Sequence, residues 1–307
     1  MKTSFILNFI IALVIATPSP AAEPLKGPPA AESKAQAELR VLVARQKELL
    51  AVVDQATEAS AIEDLRPPFQ KLVNDYEQYL KDYPTVAAGY TSYAVLLGKP
   101  VLGERKRAAA LLLRANELDP DQPLVKNQLG NYLAEEGRPL EASNYYLAAI
   151  KLAPDEPLYH YQLGTLLAEA HDDFLKSGQW QRPALDDAMH EAFRQATVLA
   201  PGNVGFAYRY GVSFYDLEKP DWTGALKYWR ALEEQLSGKV EKQTIRLHEA
   251  NVLLKQDKAA EARALLATVD EPVLQNQKQK LTSQLPTKEG PAGAASPTIT
   301  FPVPAGQ

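Results

Sequence analysis

The residues that most often carry catalysis or bind metal are sparse in this chain, and their spacing does not support either role. His190 opens the sequence HEAFR, which begins like a zinc-binding helix, but Arg194 stands where the second histidine is needed four residues later. The sequence EAHDDF places His171 directly before Asp172. Neighbouring positions on a helix face are three and four residues apart, so these two side chains point in different directions. The pattern favours a solvated helix end over a metal site.

Composition removes several further classes of function. The 307 residues include no cysteine, which excludes disulfides, thiol nucleophiles and thiolate metal sites. No G-x-S-x-G, Walker or dinucleotide-binding glycine motif occurs. The net charge is −5, and no cluster of Lys and Arg is dense enough to follow a phosphate backbone, so nucleic-acid binding is disfavoured. We therefore expect a protein that is not an enzyme and has no cofactor.

The elements that would position any functional residue are paired helices. Pro84, Pro120, Pro154 and Pro201 each follow a helical pattern, at intervals of 36, 34 and 47 residues. Each interval contains a further helical segment, with small and aromatic residues in the same order. No segment keeps the alternation typical of a β-strand. The sequence predicts an all-α array of repeated helix pairs.

The order of residues within each pair resembles the tetratricopeptide-repeat (TPR) family. The clearest unit contains Leu129-Gly130, Leu133, Ala142, Tyr146, Ala149 and Pro154. Related units contain Tyr93-Ala94, Ala108, Leu112 and Pro120; Leu163-Gly164, Met189, Phe193 and Pro201; Tyr210-Gly211, Ala225 and Trp229; and Ala250, Leu253, Ala262 and Leu266. The resemblance implies a right-handed α-solenoid of about five repeats.

The small and aromatic positions have a physical reason that is independent of any family. Two antiparallel helices approach closely only where side chains are small, and Gly130, Gly164 and Ala142 permit this. We expect Tyr146 and Trp229 to fill the volume between one pair and the next, as core residues. Because a single pair cannot bury its apolar stripe, stacking of pairs supplies the core.

The predicted organisation has six parts. Residues 1–21 have the positive start, short apolar run and small residues of a secretory signal peptide, with an uncleaved anchor as the alternative. Residues 22–33 are a flexible linker, residues 34–84 a degenerate helix pair, and residues 85–272 the repeats. Residues 273–285 form a capping helix, and residues 286–307 are expected to be disordered. The tail contains the apolar sequence TITFPVP, either a leftover end or a docking motif.

The third repeat carries an insertion of thirteen residues. It is expected to lengthen the first helix of that pair through EAHDDFLK and to add the loop SGQWQRP. Long loops often carry function, so Trp180 either contributes to a site or folds back over its own repeat.

The TPR resemblance also implies a binding surface on the first helix of each pair, where extended peptides bind in that family. Counting from the glycine position predicts a stripe of Asn127, Asn131, Tyr161, Thr165, Tyr208, Val212, Tyr215 and Asn251, together with Thr91, Val95, Leu124, Leu158 and Leu247. Asn can pair with a peptide backbone, and Tyr offers a flat apolar face. Alternatively, Tyr161 and Tyr208 only pack against neighbouring repeats. Because Thr91, Tyr161 and Tyr208 stand where a carboxylate-binding Lys would be sought, a neutral or aromatic-bearing segment is the expected ligand.

These patterns predict an exported protein of the periplasm or the extracellular space, with no membrane span in its mature chain. Its predicted function is that of a scaffold that binds a peptide segment of a protein partner, in the assembly of envelope complexes. Two alternatives are an enzyme or enzyme accessory that uses residues 165–192, and a self-assembling structural protein. The fold does not identify the partner or the oligomeric state.

Overall fold

The computed structural model of the chain describes residues 33–55, 65–99 and 102–286. These ranges contain fourteen α-helices and no β-strand, which confirms the predicted all-α class. The residues form two compact units that divide between Gln179 and Trp180.

Eight of these helices lie in the described part of the first unit. They are α1 (Lys34–Gln55), α2 (Arg66–Asp82), α3 (Ala87–Leu97), α4 (Arg105–Leu118), α5 (Pro123–Glu135), α6 (Pro139–Leu152), α7 (Pro157–Glu169) and α8 (His171–Lys176). Helices α3 and α4 pack as one antiparallel pair, and α5 and α6 as the next.

The second unit contains the remaining six. They are α9 (Arg182–Leu199), α10 (Val204–Ser213), α11 (Trp222–Gln235), α12 (Lys239–Lys255), α13 (Ala259–Ala267) and α14 (Gln275–Thr282), with a 3₁₀ turn at Pro272–Leu274 before α14. Helix α12 packs against α11, α13 and α14.

Prolines set several helix boundaries. Helices α5, α6 and α7 begin at Pro123, Pro139 and Pro157, where the missing N–H would have had no partner within the helix. Helices α2, α4, α6 and α9 each end two residues before a proline, at Asp82, Leu118, Leu152 and Leu199. The residue before a proline is driven out of the helical conformation, so each helix ends where the sequence pattern indicates.

Close helix approach in two of the pairs depends on a glycine that faces an aromatic ring. A Cβ on Gly130 would lie 2.7 Å from the ring of Tyr146, and a Cβ on Gly211 would lie 2.3 Å from the ring of Trp229. Tyr146 and Trp229 are both buried, as expected of core residues. Each ring fits against the first helix of its own pair, so it fills space within the pair as well as beyond it.

Helix α1 buries a polar side chain among its apolar residues. Leu42 and Leu50 are buried, but Val43 is exposed, and Gln46 is buried in its place. The Tyr76 hydroxyl donates a hydrogen bond of 2.5 Å to Gln46 Oε1. A buried polar side chain with a dedicated partner replaces an apolar contact here, which the spacing of apolar residues could not indicate.

The insertion in the third repeat does not lengthen the preceding helix. Helix α7 ends at Glu169, Ala170 leaves the helical conformation, and α8 follows as a separate short helix. Phe174 of α8 is fully buried, and α8 packs against α6 and α7. The break at Ala170 is thus followed by a short helix that is anchored by this buried ring. Trp180 is half-buried.

Several predicted features lie outside the described residues. They are the signal peptide at 1–21, nearly all of the linker at 22–33, and the tail beyond Pro286. Among the helices in the described ranges, none combines the length and the apolar character needed to cross a bilayer.

Candidate functional site

The second unit brings together two tyrosines and a histidine from different helix pairs. Tyr208 lies in α10, Tyr215 follows the end of α10, and His248 lies in α12. We call these three residues the tyrosine–histidine cluster. Tyr208 and Tyr215 belong to the predicted binding stripe, whereas His248 does not.

The helices that carry this cluster have well-defined starts. Helix α10 begins after Asn203, whose Oδ1 accepts a hydrogen bond of 3.0 Å from the Phe206 N–H. Helix α11 begins after Asp221, whose Oδ1 accepts from the N–H groups of Thr223 and Gly224. Such caps satisfy N–H groups that have no partner inside the helix.

Hydrogen bonds fix the three side chains relative to one another. Tyr208 Oη lies 2.8 Å from His248 Nε2, and Tyr215 Oη lies 3.4 Å from His248 Nδ1. The Tyr215 hydroxyl also donates to the backbone oxygen of His248 at 3.2 Å. A neutral imidazole fits this arrangement, with Tyr208 donating to Nε2 and Nδ1–H donating towards Tyr215.

Trp229 forms a rigid floor beneath the cluster. Its ring is fully buried and stacks on the imidazole of His248 with 4.4 Å between centroids and 14° between planes. The Tyr208 ring meets Trp229 edge to face at 5.8 Å. Because Trp229 is held against Gly211, the packing of the α10–α11 pair positions the histidine of the next pair.

Burial keeps the cluster uncharged at neutral pH. It lowers the pKa of His248 to about 4 and raises the pKa of Tyr208. Burial also raises the pKa of Tyr215, while the nearby Asn251 and Trp229 side chains act against this rise. All three side chains therefore present hydrogen-bonding groups without net charge.

Part of this cluster is open to solvent. The Tyr208 side chain is 37% exposed, and Val212, Tyr215 and Asn251 are half-buried. Trp222 is also half-buried and lies beside Tyr215, with 5.6 Å between the ring centroids. The second unit therefore carries a surface of flat aromatic rings with polar tips. Such a surface suits contact with an uncharged chain segment.

The predicted residues of the first unit are less closely associated. Asn131 is half-buried, and its Oδ1 accepts a hydrogen bond of 2.7 Å from the Tyr146 hydroxyl. Its amide nitrogen takes no part in that bond. Thr165 donates to the backbone oxygen of Tyr161 at 2.9 Å, and both residues are half-buried.

Asn127 and Thr91 of the predicted stripe are buried. The Asn127 side chain is 0% exposed, and neither its Oδ1 nor its Nδ2 has a hydrogen-bond partner in the structure. A ligand at the surface would not reach this amide. Leu247, predicted for the same stripe, is likewise buried in the core. These three buried residues are not part of the candidate surface.

His248 is the member of the site that the sequence analysis did not select. The count from the glycine position assigned Leu247 to the stripe, one residue before it. The fifth pair has Ala250 at that position instead of glycine, and consecutive residues on a helix point about 100° apart. The available signal was the histidine itself, which lies between the stripe positions Leu247 and Asn251 in the sequence.

No metal site is visible in the residues that the structure describes. Nowhere in 33–55, 65–99 and 102–286 do three His, Asp or Glu side chains lie together in a way that could hold an ion.

No protein-family model matches the chain, and no curated protein matches its sequence. Solved structures do share its fold. One is YrrB, described as a TPR protein with an unusual peptide-binding site. It is 16% identical over 68% of this chain and 92% of YrrB, with a TM-score of 0.51.

Two further structures resemble the chain over a larger share of its length. PilF of Pseudomonas aeruginosa is 17% identical over 81% of this chain and 99% of its own, with a TM-score of 0.52. A structure of Naa15/Naa10 bound to HypK-THB is 15% identical over 82% of this chain and 34% of the matched chain, with a TM-score of 0.52. The chain therefore has the all-α fold of paired helices found in TPR proteins.

Proposed function

We propose that the chain is a scaffold that binds an uncharged, extended segment of a protein partner on the surface around the tyrosine–histidine cluster. The observation that carries this proposal is the Tyr208–His248–Tyr215 arrangement, which is held by hydrogen bonds and stacked on buried Trp229. Side chains fixed before binding lose little conformational entropy when a ligand arrives, which favours affinity.

The chemistry of the surface suggests the type of ligand. Tyrosine is frequent at interface positions that dominate binding, because its ring packs well and its hydroxyl hydrogen-bonds. Asn251 lies in the same region and can pair with a peptide backbone through its amide. The absence of charge in the cluster argues for a neutral ligand. The fold is consistent with this function, and YrrB, which shares it, is described as having a peptide-binding site.

The proposed partner is another exported protein. Residues 1–21 have the composition of a secretory signal, with an apolar run from Phe5 to Ala16. Fusion of residues 1–25 to a reporter enzyme that is active only outside the cytoplasm tests this part. A reporter that stays inactive would contradict export.

A peptide-display library tests the binding proposal. Peptides selected on the full chain are measured for affinity to the unaltered protein and to Tyr208→Ala, Tyr208→Phe and Tyr132→Ala. Loss of a dominant interface tyrosine weakens binding by about 10-fold or more. We expect that loss for Tyr208→Ala only. Tyr132, half-buried in the first unit, serves as the control for the removal of a ring.

The outcome distinguishes binding at a specific site from non-specific binding. Circular dichroism first establishes that the variants are equally helical. Selected peptides that bind Tyr208→Ala as tightly as the unaltered chain would refute the proposed site. Retention of affinity by Tyr208→Phe would assign the contribution to the ring, and its loss would assign it to the hydroxyl that contacts His248.

A further inference from the structure

One segment beyond the described residues has the chemistry that this surface suits. Residues 298–304 read TITFPVP and contain no charged side chain. Ile299, Phe301 and Val303 alternate with threonine and proline, so in an extended chain all three apolar side chains lie on one side. Proline fixes its own backbone near the extended region and disfavours helix at the residue before it.

The partly exposed rings of the second unit offer a complementary face. Tyr208 is exposed and Tyr215 and Trp222 are half-buried, and Val212 lies one helical turn after Tyr208 on the same face of α10. Proline-containing segments bind aromatic-lined surfaces because an already extended chain has little conformational freedom to lose. Neither the segment nor the cluster carries a charge that would need a partner.

The segment can reach this surface from its own chain. Pro286, the last described residue, accepts a hydrogen bond of 2.8 Å from Arg263 of α13. Helix α13 packs on α12, which carries His248, and packed helices lie about 10 Å apart. Helix α12 has 17 residues and is therefore about 25 Å long. Thr298 is twelve residues after Pro286 in the chain, and twelve residues span up to about 40 Å when extended, which exceeds the two distances together.

We propose that residues Thr298–Pro304 bind the surface formed by Tyr208, Val212, Tyr215 and Trp222 of the same chain. The segment thereby competes with the ligand of that surface. This inference rests on the proposed function, since both use the same site. Tethering supplies an effective concentration of about a millimolar, so even a weak contact would be occupied in the free protein.

Competition in the full chain tests the inference. The probe is a fluorescent synthetic peptide with the sequence of residues 296–307, and its affinity is measured by anisotropy. The proteins are the unaltered chain, a Phe301→Asp/Val303→Asp variant, and that variant with Tyr208→Ala added. A fourth protein carries Phe301→Asp/Val303→Asp together with Trp222→Ala. It provides a second surface variant if the one with Tyr208→Ala is poorly folded. An Ala294→Asp/Ser296→Asp variant controls for added charge near the segment.

The expected result is an affinity about 10-fold or more higher for the Phe301→Asp/Val303→Asp variant than for the unaltered chain, since its own segment no longer competes. The charge control should behave like the unaltered chain, and Tyr208→Ala or Trp222→Ala should remove the gain. Equal affinity for the unaltered chain and the Phe301→Asp/Val303→Asp variant would overturn the inference. So would self-association of the unaltered chain in sedimentation, abolished by the same variant, because it would place the segment on a second copy.

The test also distinguishes this inference from the proposed function. If the probe binds none of the proteins while library-selected peptides still require Tyr208, the inference fails and the proposed function stands. If neither the probe nor the selected peptides depend on Tyr208, both fail.

Discussion

Replacement of Gly211 by alanine tests the packing on which the candidate site depends. The new Cβ would lie 2.3 Å from Cη2 of Trp229, whereas carbon atoms in contact are normally about 3.5–4.0 Å apart. The ring must therefore move by about 1 Å or more, although it is fully buried. Forced overpacking of this kind costs about 1–3 kcal/mol.

Helix propensity predicts the opposite sign for the same substitution. Alanine in the interior of a helix is favoured over glycine by about 1 kcal/mol. If no steric conflict existed, Gly211→Ala would stabilise the protein by that amount. Because the approach of 2.3 Å is very close, we expect an overpacking cost in the upper half of its range, about 2–3 kcal/mol. The net decrease in the free energy of unfolding is then about 1–2 kcal/mol.

The assay is denaturant unfolding followed by far-ultraviolet circular dichroism. Gly202→Ala is the matched control, because a Cβ at Gly202 would meet no heavy atom within 4 Å. A Gly211→Ala variant as stable as the unaltered chain, or more stable, would refute the reasoning. A double-mutant cycle with Trp229→Phe adds a second check, since the smaller ring leaves room for the methyl group. Effects that simply add, within about 0.5 kcal/mol, would show that the two residues do not conflict.

Three further substitutions test individual polar groups by the same unfolding measurement. Asn127→Leu should raise the free energy of unfolding by about 1–3 kcal/mol, because it removes a buried amide that has no hydrogen-bond partner. A decrease would mean that the amide is hydrogen-bonded. Gln46→Met should lower the free energy of unfolding by about 1–3 kcal/mol, because the buried Tyr76 hydroxyl loses its hydrogen-bond acceptor. An unchanged free energy would contradict the hydrogen bond between Tyr76 and Gln46. His248→Gln should make stability less sensitive to acid. The folded pKa of His248 is about 4 and the unfolded value 6.5, so the unfolded chain takes up the proton first as the pH falls. The neutral imidazole therefore contributes its full stabilisation above pH 6.5. Between that pH and pH 4.5 the free energy of unfolding should fall by about 2–3 kcal/mol from this cause, in the unaltered chain only. Equal losses in the two proteins between pH 7.5 and 4.5 would contradict the burial of this ring.

The contacts within a helix pair could be predicted because they are encoded locally. Gly130 and Tyr146 are 16 residues apart, and the turn between their helices leaves few ways to align them. A small residue at a fixed interval from the next helix therefore predicts that the two helices approach closely. The rings of Tyr146 and Trp229 were expected between one pair and the next, whereas the structure places them against Gly130 and Gly211 of their own pairs.

The contacts between successive pairs could not be predicted in the same way. Tyr208 and His248 are 40 residues apart, and their contact depends on how far one pair is rotated against the next. That rotation follows from the volumes of the core side chains between the pairs, such as Trp229, and no periodic count contains it. If α12 were rotated about its axis by the angle between consecutive residues, about 100°, Leu247 would take the place of His248 at the surface.

The difference between these two kinds of contact explains why the fold was predicted well and the candidate site only in part. Tyr208 and Tyr215 were selected because they lie on a single helix and the residues that directly follow it, where spacing alone assigns a side. His248 completes their hydrogen bonds from another pair, and Asn127 is lost beneath the surface of its own. In an array of repeats, each pair is specified by its own sequence, whereas a binding surface belongs to neighbouring pairs together. A repeat pattern therefore misses the surface residues whose position depends on the next pair. In this structure His248 is such a residue.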